Sequence, residues 1–232
     1  MTALPEFRYI TASLGEEGTL VLKYTRPGAG NAINNATIKE LLRALRWAVE
    51  DPRVKVIVQT GEGRFFTTGM DLSSTQGEDD SPQILYEVNK LMIDCEKITI
   101  AAVNGPGVGY GASSIGLFDL VYAVPDAYFF TPITAVELEA AGLVSRVIPK
   151  QNFLRDVLSI ADHLARQPAE ALKANKQLLS RPWKEQLHAT NGRELRAFEE
   201  LMQGDAAKKR AAMFAAEQAS KRATGEGRGH NL

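Results

Sequence analysis

The stretch Val103–Leu120 reads VNGPGVGYGASSIGLFDL, with glycine at positions 105, 107, 109, 111 and 116. It follows the apolar run TIAAVNG (99–105), which is typical of a strand buried on both faces. Residues from Gly111 onward predict a short helix, and DLVYAV (119–124) predicts the next strand. A strand, a glycine loop and a helix in this order leave the first N–H groups of the helix unpaired at the carboxyl end of a strand.

The glycine spacing excludes the common phosphate-binding loops. A dinucleotide fingerprint requires G-x-G-x-x-G, but Ala112 and Ser114 stand where a third glycine would be needed. A P-loop requires Gly-Lys-Ser/Thr, and no lysine occurs between Ile98 and Ile133. The loop is therefore predicted to stabilise a transient oxyanion rather than to hold a phosphate, with help from a helix dipole of about +0.5 elementary charge.

Other catalytic arrangements find little support in the sequence. The histidines, His163, His188 and His230, lie far apart, so no two of them stand at the helical spacing of a metal site. The segment 111–116 misses a G-x-S-x-G nucleophile elbow by one residue. We therefore expect neither a metal site nor a serine–histidine–aspartate triad.

The elements around the glycine stretch predict an α/β fold. The segments 7–14 and 19–25 are rich in β-branched and aromatic residues and predict a hairpin. An amphipathic helix is predicted from Asn35 to Asp51, VKVIVQTG (54–61) predicts another buried strand, and a further helix begins at Pro82. Alternating strands and helices of this kind build a parallel sheet with right-handed crossovers.

The sequence changes character after Val147. Residues 1–150 are expected to form the α/β core and residues 151–232 a C-terminal helical region. Residues 205–232 carry more Lys and Arg than Asp and Glu, which suits either a solvated helical face or an anion-binding one. The helices predicted in this region cover 152–166, 168–180, 183–203 and 206–223.

Composition narrows the possible partners. The chain has 232 residues and a formal net charge of −1, so no global field attracts nucleic acid or an acidic membrane surface. No apolar run approaches a membrane span, and the single cysteine, Cys95, suits a reducing compartment. The N-terminus lacks a secretory-signal pattern. The last residues, His230-Asn231-Leu232, loosely resemble a peroxisomal tripeptide, although they are equally consistent with an ordinary polar terminus.

A second loop repeats the arrangement of the first. GRFFTTGMDL (63–72) also follows a predicted buried strand, and Gly69 permits a backbone angle that other residues avoid. Loops at the carboxyl ends of two neighbouring parallel strands can each direct one N–H group to the same point. Two such donors around one carbonyl oxygen form an oxyanion hole.

These features together resemble the crotonase, or enoyl-CoA hydratase/isomerase, superfamily. Arg26-Pro27 with Asn31-Ala32-Ile33, then GRFFTTGMDL, then AAVNGPGVGYGASSIGLFDLVYA (101–123) occur in that family's order. TAVELEAAGLVSRVIP (134–149) is similar to the family's helix and strand after the core, and KANKQLLSR (173–181) with the closing helices to its trimerisation region. The resemblance covers nearly the whole chain and is closest to peroxisomal fungal Δ3,Δ2-enoyl-CoA isomerases.

The resemblance implies a crotonase-like ββα spiral core followed by a C-terminal helical trimerisation region. It further implies a homotrimer, or a hexamer built as a dimer of trimers, that acts on an acyl-CoA without nucleic-acid or membrane partners. The implied location is the peroxisomal matrix, with the cytoplasm or the mitochondrion as alternatives.

The resemblance also implies site residues. Thr68 and Tyr110 match the positions whose backbone N–H groups form the acyl-thioester oxyanion hole. Asp71 is equally a candidate helix cap, and Arg26 is a candidate neighbour of the coenzyme A phosphates. The backbone that surrounds coenzyme A is matched by Ala32, Gly69, Asp71, Leu72 and Gly109. Further candidate phosphate neighbours are Lys208, Lys209, Arg210, Lys221 and Arg222.

The implied activity is Δ3,Δ2-enoyl-CoA isomerisation in fatty-acid β-oxidation, with the coenzyme A thioester as substrate and no further cofactor. The oxyanion hole stabilises an enolate while one carboxylate moves a proton between carbons 2 and 4. A hydratase, thioesterase or decarboxylase of the same family is an alternative, since the fold does not fix the reaction. A catalytically inactive acyl-CoA-binding or assembly subunit is an alternative of a different class.

The sequence departs from the family where the catalytic carboxylates are expected. Hydratases hold one glutamate at the position of Ser113, so water addition by two carboxylates is not expected. The isomerase glutamate belongs to a segment after the fourth core strand, but here 128–133 runs directly into the following helix. We expect a missing segment within 131–134, where the Cα spacing would then depart from the roughly 3.8 Å of a trans peptide. Glu137 and Glu139 lie on the later helix and are not expected to replace the lost base.

Overall fold

The computed structural model describes residues 3–71, 81–130 and 133–203. Within these residues the strands are β1 (Ile10–Leu14), β2 (Thr19–Tyr24), β3 (Val56–Gly61), β4 (Ile98–Val103), β5 (Leu120–Ala123), β6 (Tyr128–Phe130), β7 (Ile133–Thr134) and β8 (Arg146–Val147). The helices are α1 (Asn35–Glu50), α2 (Ser81–Asp94), α3 (Tyr110–Ser113), α4 (Ala135–Ala140), α5 (Phe153–Ala165) and α6 (Ala169–Gln203).

Six strands form one twisted sheet in the order β1-β2-β3-β4-β5-β8. β1 and β2 pair antiparallel as the predicted hairpin, and every other neighbouring pair is parallel. All six residues of β3 are buried, as expected of a strand covered on both faces. One core packs α5 against the sheet, and a second core packs α1 and α2 against it. The α/β expectation for the core is therefore confirmed.

α1 begins and ends where its sequence signals predict. The Asn34 side chain accepts a hydrogen bond from the Thr37 N–H at 2.8 Å, which satisfies one unpaired donor of the first turn. Its apolar residues recur at helical spacing and are buried against β1 and α2. The helix ends at Glu50, before Pro52, because proline disfavours helical backbone in the residue ahead of it.

The C-terminal region differs from the prediction at Pro182. Separate helices over 168–180 and 183–203 are wrong, because α6 is continuous across Pro182. The proline removes one backbone donor to Leu178, and that turn is exposed to solvent, with Leu178 73% exposed. Packing holds both halves in line: the buried Lys176 pairs with the partly exposed carboxylate of Asp119 at 2.8 Å, and Asn191 is buried against α2. The helix predicted over 206–223 lies outside the described residues.

The short hairpin β6–β7 stands where a missing segment is predicted. Tyr128 pairs with Thr134, and Phe130 pairs with Ile133, in an antiparallel ladder. The link itself, residues 131–132, lies outside the described residues, so the predicted break stays a prediction. α4 follows directly, and β8 then adds to the edge of the main sheet beside β5.

The described residues contain no helix that is both long and apolar enough to cross a membrane. They also contain no cluster of three or more His, Cys, Asp or Glu side chains that could hold a metal ion.

Replacing Pro182 with alanine tests the continuity of α6. Proline costs about 3 kcal/mol relative to alanine inside a helix, so Pro182→Ala should raise the free energy of unfolding by roughly 1–3 kcal/mol in urea denaturation. Pro168→Ala is the matched control, since Pro168 lies ahead of the helix and its carbonyl accepts from Leu172 at 3.1 Å. Equal, near-zero effects of the two substitutions would mean that the helix breaks at Pro182.

Candidate functional site

The site is built on three chain segments that meet beyond the carboxyl ends of β2, β3 and β4. The segment 66–70, after β3, lies between 30–33 on one side and 106–108 on the other. Toward 106–108, the Phe66 N–H donates to the Pro106 carbonyl at 3.1 Å, and the Val108 N–H donates to the Thr67 carbonyl at 2.9 Å. The two loops predicted from the sequence are therefore joined by backbone hydrogen bonds.

Glycines make this joining possible. A Cβ at Gly105 would overlap the carbonyl oxygen of Arg64, so only glycine fits there. A Cβ at Gly111 would come within 2.6 Å of the Thr67 side chain and 2.8 Å of its carbonyl oxygen. Gly116, by contrast, has nothing within 4 Å of the same position. The absence of a side chain at Gly105 and at Gly111 therefore allows the two loops to pack closely against each other.

Two asparagine side chains fasten the loops from either side. Asn31 is 1% exposed, and its amide donates to the Glu62 and Phe65 carbonyls at 2.9 and 2.8 Å. Asn104 accepts from the Gly61 N–H at 2.9 Å and donates to the Gly63 carbonyl at 3.0 Å. Asn31 also adopts a positive φ of 56°, a conformation that asparagine tolerates better than most residues.

The expectation that Thr68 supplies an oxyanion donor is wrong. The Thr68 N–H donates to the Gly30 carbonyl at 3.0 Å and is therefore already used. The positive φ of Gly69, 84°, turns the backbone immediately after Thr68, so the next free N–H belongs to a different residue. Sequence spacing alone could not reveal which peptide group this turn leaves open.

The free N–H group of this loop belongs to Met70. The Gly69 carbonyl accepts from the Ile33 N–H at 2.8 Å, and the Asp71 N–H donates to the Ile33 carbonyl at 2.9 Å. In a trans peptide the C=O and the following N–H point in opposite directions, so the Met70 N–H points away from Ile33, toward the 106–110 loop. No acceptor for it lies among the residues that the structure describes. Sequence reasoning missed Met70, although its position after a turn glycine was the available signal.

The second free N–H group belongs to Tyr110, and its role as an oxyanion donor stays a prediction. Tyr110 is the first residue of α3, and its N–H has no acceptor within the described part of the chain. Its nitrogen lies 2.9 Å from the point that a Gly69 Cβ would occupy, so the absent side chain at Gly69 keeps this space open. Gly109, with φ 58° and ψ −121°, supplies the turn that presents Tyr110.

Met70 and Tyr110 line the same cavity, which has a volume of about 320 Å³. Its wall is mostly apolar and lies between the loops, α2 and α6, and its polar lining residues include Ser113 and Glu194. Two N–H groups beside an apolar cavity can bind a carbonyl oxygen on which negative charge develops. The remaining lining residues are Pro82, Leu85, Tyr86, Asn89, Asn191, Leu195 and Ala197.

The Tyr110 side chain connects α3 to both neighbouring helices. Its hydroxyl donates to Asn89 Oδ1 at 2.8 Å, and the Asn89 amide donates to Asn191 Oδ1 at 3.0 Å. Asn191 completes the chain by donating to the Tyr86 carbonyl at 3.0 Å. Burial, and then the negative charge of Glu194, raises the pKa of the Tyr110 hydroxyl, so it remains a neutral donor.

Among the residues expected to surround coenzyme A, some contact one another and others lie outside the described residues. The Arg26 guanidinium pairs with Asp71 at 3.1 Å and donates to the Ala32 carbonyl, and its exposed fraction is 20%. Arg26 therefore holds the 32–33 and 70–71 segments together, and Asp71 is engaged by Arg26. Leu72 and the basic residues between 208 and 222 lie outside the described residues.

Comparison with known proteins identifies the family. The sequence model of the enoyl-CoA hydratase/isomerase family matches residues 15–132 and 127–222, so the chain belongs to this family. The match comes in two pieces that meet at the β6–β7 hairpin, where the sequence predicts a missing segment. The structure superposes with a TM-score of 0.82 on an enoyl-CoA hydratase/isomerase from Pseudoalteromonas atlantica T6c, at 26% identity over 90% of this chain and 98% of the other.

The sequence relatives are named for different activities. Human enoyl-CoA delta isomerase 2 is 30% identical in an alignment of 222 positions that covers 77% of this chain and 56% of the relative. The 2,3-dehydroadipyl-CoA hydratase of Escherichia coli K12 is also 30% identical, over 79% of this chain and 86% of the relative. The chain spans little more than half the length of its human and rat relatives. The alignment of 222 positions is longer than the 77% of this 232-residue chain that it covers, so the human relative has additional residues within the matched span.

The Gly105 contact gives a stability prediction with an internal control. Gly105→Ala should lower the free energy of unfolding by about 1–3 kcal/mol or more, because the new methyl group displaces the Arg64 carbonyl from the joined loops. Gly116→Ala should change it by less than about 1 kcal/mol, since open space surrounds that position. Denaturant titration of both variants makes the comparison, and a neutral Gly105→Ala would refute the close packing of the two loops.

Proposed function

We propose that this protein is an acyl-CoA enzyme that stabilises a thioester enolate, and that its reaction is Δ3,Δ2-enoyl-CoA isomerisation. The observation that carries the proposal is the pair of unpaired N–H groups, Met70 and Tyr110, at the wall of one apolar cavity. Family membership supports an acyl-CoA substrate, and two relatives named enoyl-CoA delta isomerase support the reaction.

The chemistry follows from where charge develops. When a proton leaves carbon 2 of a 3-enoyl thioester, negative charge moves onto the thioester oxygen. Each N–H group aimed at this oxygen is worth about 3–4 kcal/mol in the transition state, because it is already oriented and shielded from water. Return of a proton at carbon 4 completes the shift of the double bond and needs no cofactor beyond the coenzyme A of the substrate.

Hydration is the second candidate within the family. The Escherichia coli relative is named a hydratase and covers a share of this chain similar to that of the human isomerase. Water addition by two carboxylates requires a second acidic group, whereas Ser113 lines the cavity at the predicted hydratase position. An inactive acyl-CoA-binding subunit is the remaining alternative and predicts binding without proton exchange.

Assembly and location belong to the same proposal. We propose a homotrimer, or a dimer of trimers, and the exposed apolar side chains of Leu178, Leu179 and Trp183 on α6 support self-association. A mouse relative, 28% identical over 81% of this chain, is named as peroxisomal, which supports the peroxisomal matrix as the location.

The direct test is incubation of the purified chain with a 3-enoyl-CoA. Appearance of the conjugated 2-enoyl-CoA, followed by its ultraviolet absorbance, is the expected result. Deuterium incorporation at carbon 2 of a saturated acyl-CoA in heavy water should accompany it. Formation of a 3-hydroxyacyl-CoA from a 2-enoyl-CoA would favour the hydratase, and binding without either reaction would favour the inactive subunit.

A pair of substitutions at Tyr110 isolates its backbone donor. Tyr110→Pro removes both the N–H and the side chain, and proline is accepted at the first position of a helix. Tyr110→Ala removes the side chain alone and serves as the reference. We expect Tyr110→Pro to lower kcat by about 100-fold or more relative to Tyr110→Ala. Equal rates for the two variants would show that this N–H group does not take part.

A further inference from the structure

The cavity beside Met70 and Tyr110 is lined by an acidic residue, the solvent-exposed Glu194, that the family resemblance did not predict. Glu194 is the one Asp or Glu among its described lining residues, and it also lines the adjoining cavity between Tyr110, Ser113 and Asn191. It lies on α6, whereas the glutamates expected from the family belong to the position of Ser113 or to the segment predicted to be missing near 131–134.

α6 is fixed over the cavity by contacts on either side of Glu194. Toward the N-terminus, Asn191 is 5% exposed and bonds to Asn89 and to the Tyr86 carbonyl. Toward the C-terminus, Glu199 accepts from the Gln83 amide at 2.7 Å. Residues three and four apart share one helix face, so Glu194 is on the same side of α6 as the buried Asn191.

The Glu194 carboxylate is not committed to another partner. No ion pair or hydrogen bond to it is formed by the residues that the structure describes. Glu137 and Glu139, the next carboxylates along the chain after the hairpin, are both engaged. Glu137 caps its own helix through Thr134, and Glu139 accepts from the Val147 N–H at 2.8 Å. Glu194 therefore combines a place at the cavity with a free carboxylate.

We propose that Glu194 is the group that transfers the proton in the reaction of this site. This inference rests on the proposed enolate chemistry and adds to it the identity of the base. It also places an acid–base group at the cavity without recourse to the segment predicted to be missing within 131–134. A helix that follows the core in sequence supplies this group by folding back over the two donor loops.

The proposed step is balanced without an oxidant or a second reactant. The Glu194 carboxylate takes a proton from carbon 2 of the 3-enoyl thioester, and the electrons of that C–H bond delocalise onto the thioester oxygen between the Met70 and Tyr110 N–H groups. The same carboxyl group returns the proton to carbon 4. The double bond then lies between carbons 2 and 3, and the carboxylate is regenerated.

Glu194→Gln tests the inference, because it keeps the shape of the side chain and removes its basicity. The full chain and the variant are compared for 3-enoyl-CoA isomerisation, carbon 2 exchange in heavy water and binding of a saturated acyl-CoA. Glu194→Gln should lose about 100-fold or more in both reactions, with acyl-CoA affinity and thermal midpoint preserved. Glu194→Asp should recover part of the exchange rate. Glu185→Gln, an exposed substitution on the same helix, is the matched control and should match the unmodified chain.

The outcomes separate this inference from the proposed function. Activity in Glu194→Gln within about threefold of the unmodified chain would overturn the role of Glu194 and leave the enolate chemistry standing. An unmodified chain that binds acyl-CoA but exchanges no proton would overturn both the role of Glu194 and the isomerase. An equal loss in Glu185→Gln would overturn the role of Glu194, since the effect would then belong to the helix as a whole.

Discussion

The hydrogen bond from the Ile33 N–H to the Gly69 carbonyl is the constraint on which the site depends. Because the peptide between Gly69 and Met70 is planar and trans, fixing the carbonyl also fixes the direction of the Met70 N–H. The same segment is held on its other side by Pro106 and Val108, which sets its distance from Tyr110. Backbone hydrogen bonds thus set the directions of the two N–H groups, and the Arg26 side chain, through Ala32 and Asp71, helps to hold the segments that carry Ile33 and Met70 together.

α6 lies outside the parallel sheet but supplies part of the cavity wall. It is anchored near one end by the ion pair of the buried Lys176 with Asp119 and further along by the Asn89–Asn191 hydrogen bond. These contacts limit how far the helix can shift, since breaking either one deprives a buried polar side chain, Lys176 or Asn191, of one of its partners. This fixed helix closes the cavity over Met70 and Tyr110 and brings Glu194 to its wall.

Sequence patterns were reliable where one local signal decided the outcome. The buried run of β3, the Asn34 cap of α1 and the glycine loop before α3 each predicted its element, because burial on two faces, capping and turn geometry act over a few residues. Pro182 shows the limit. Its local preference is to end a helix, but contacts at Lys176 and Asn191 keep α6 continuous across it.

By itself the sequence determined the α/β architecture and the two glycine-bearing loops after β3 and β4, because glycine positions and apolar runs carry that information directly. Only the tertiary structure showed that the Thr68 N–H is already bonded while the Met70 N–H is free among the described residues, and that Arg26 contacts both Asp71 and Ala32. The fold also places Glu194 at the same cavity as Tyr110, although the two residues are 84 positions apart in the sequence. The physical reason is shared: which N–H is free, and which charge is near, depends on partners that are distant in the chain.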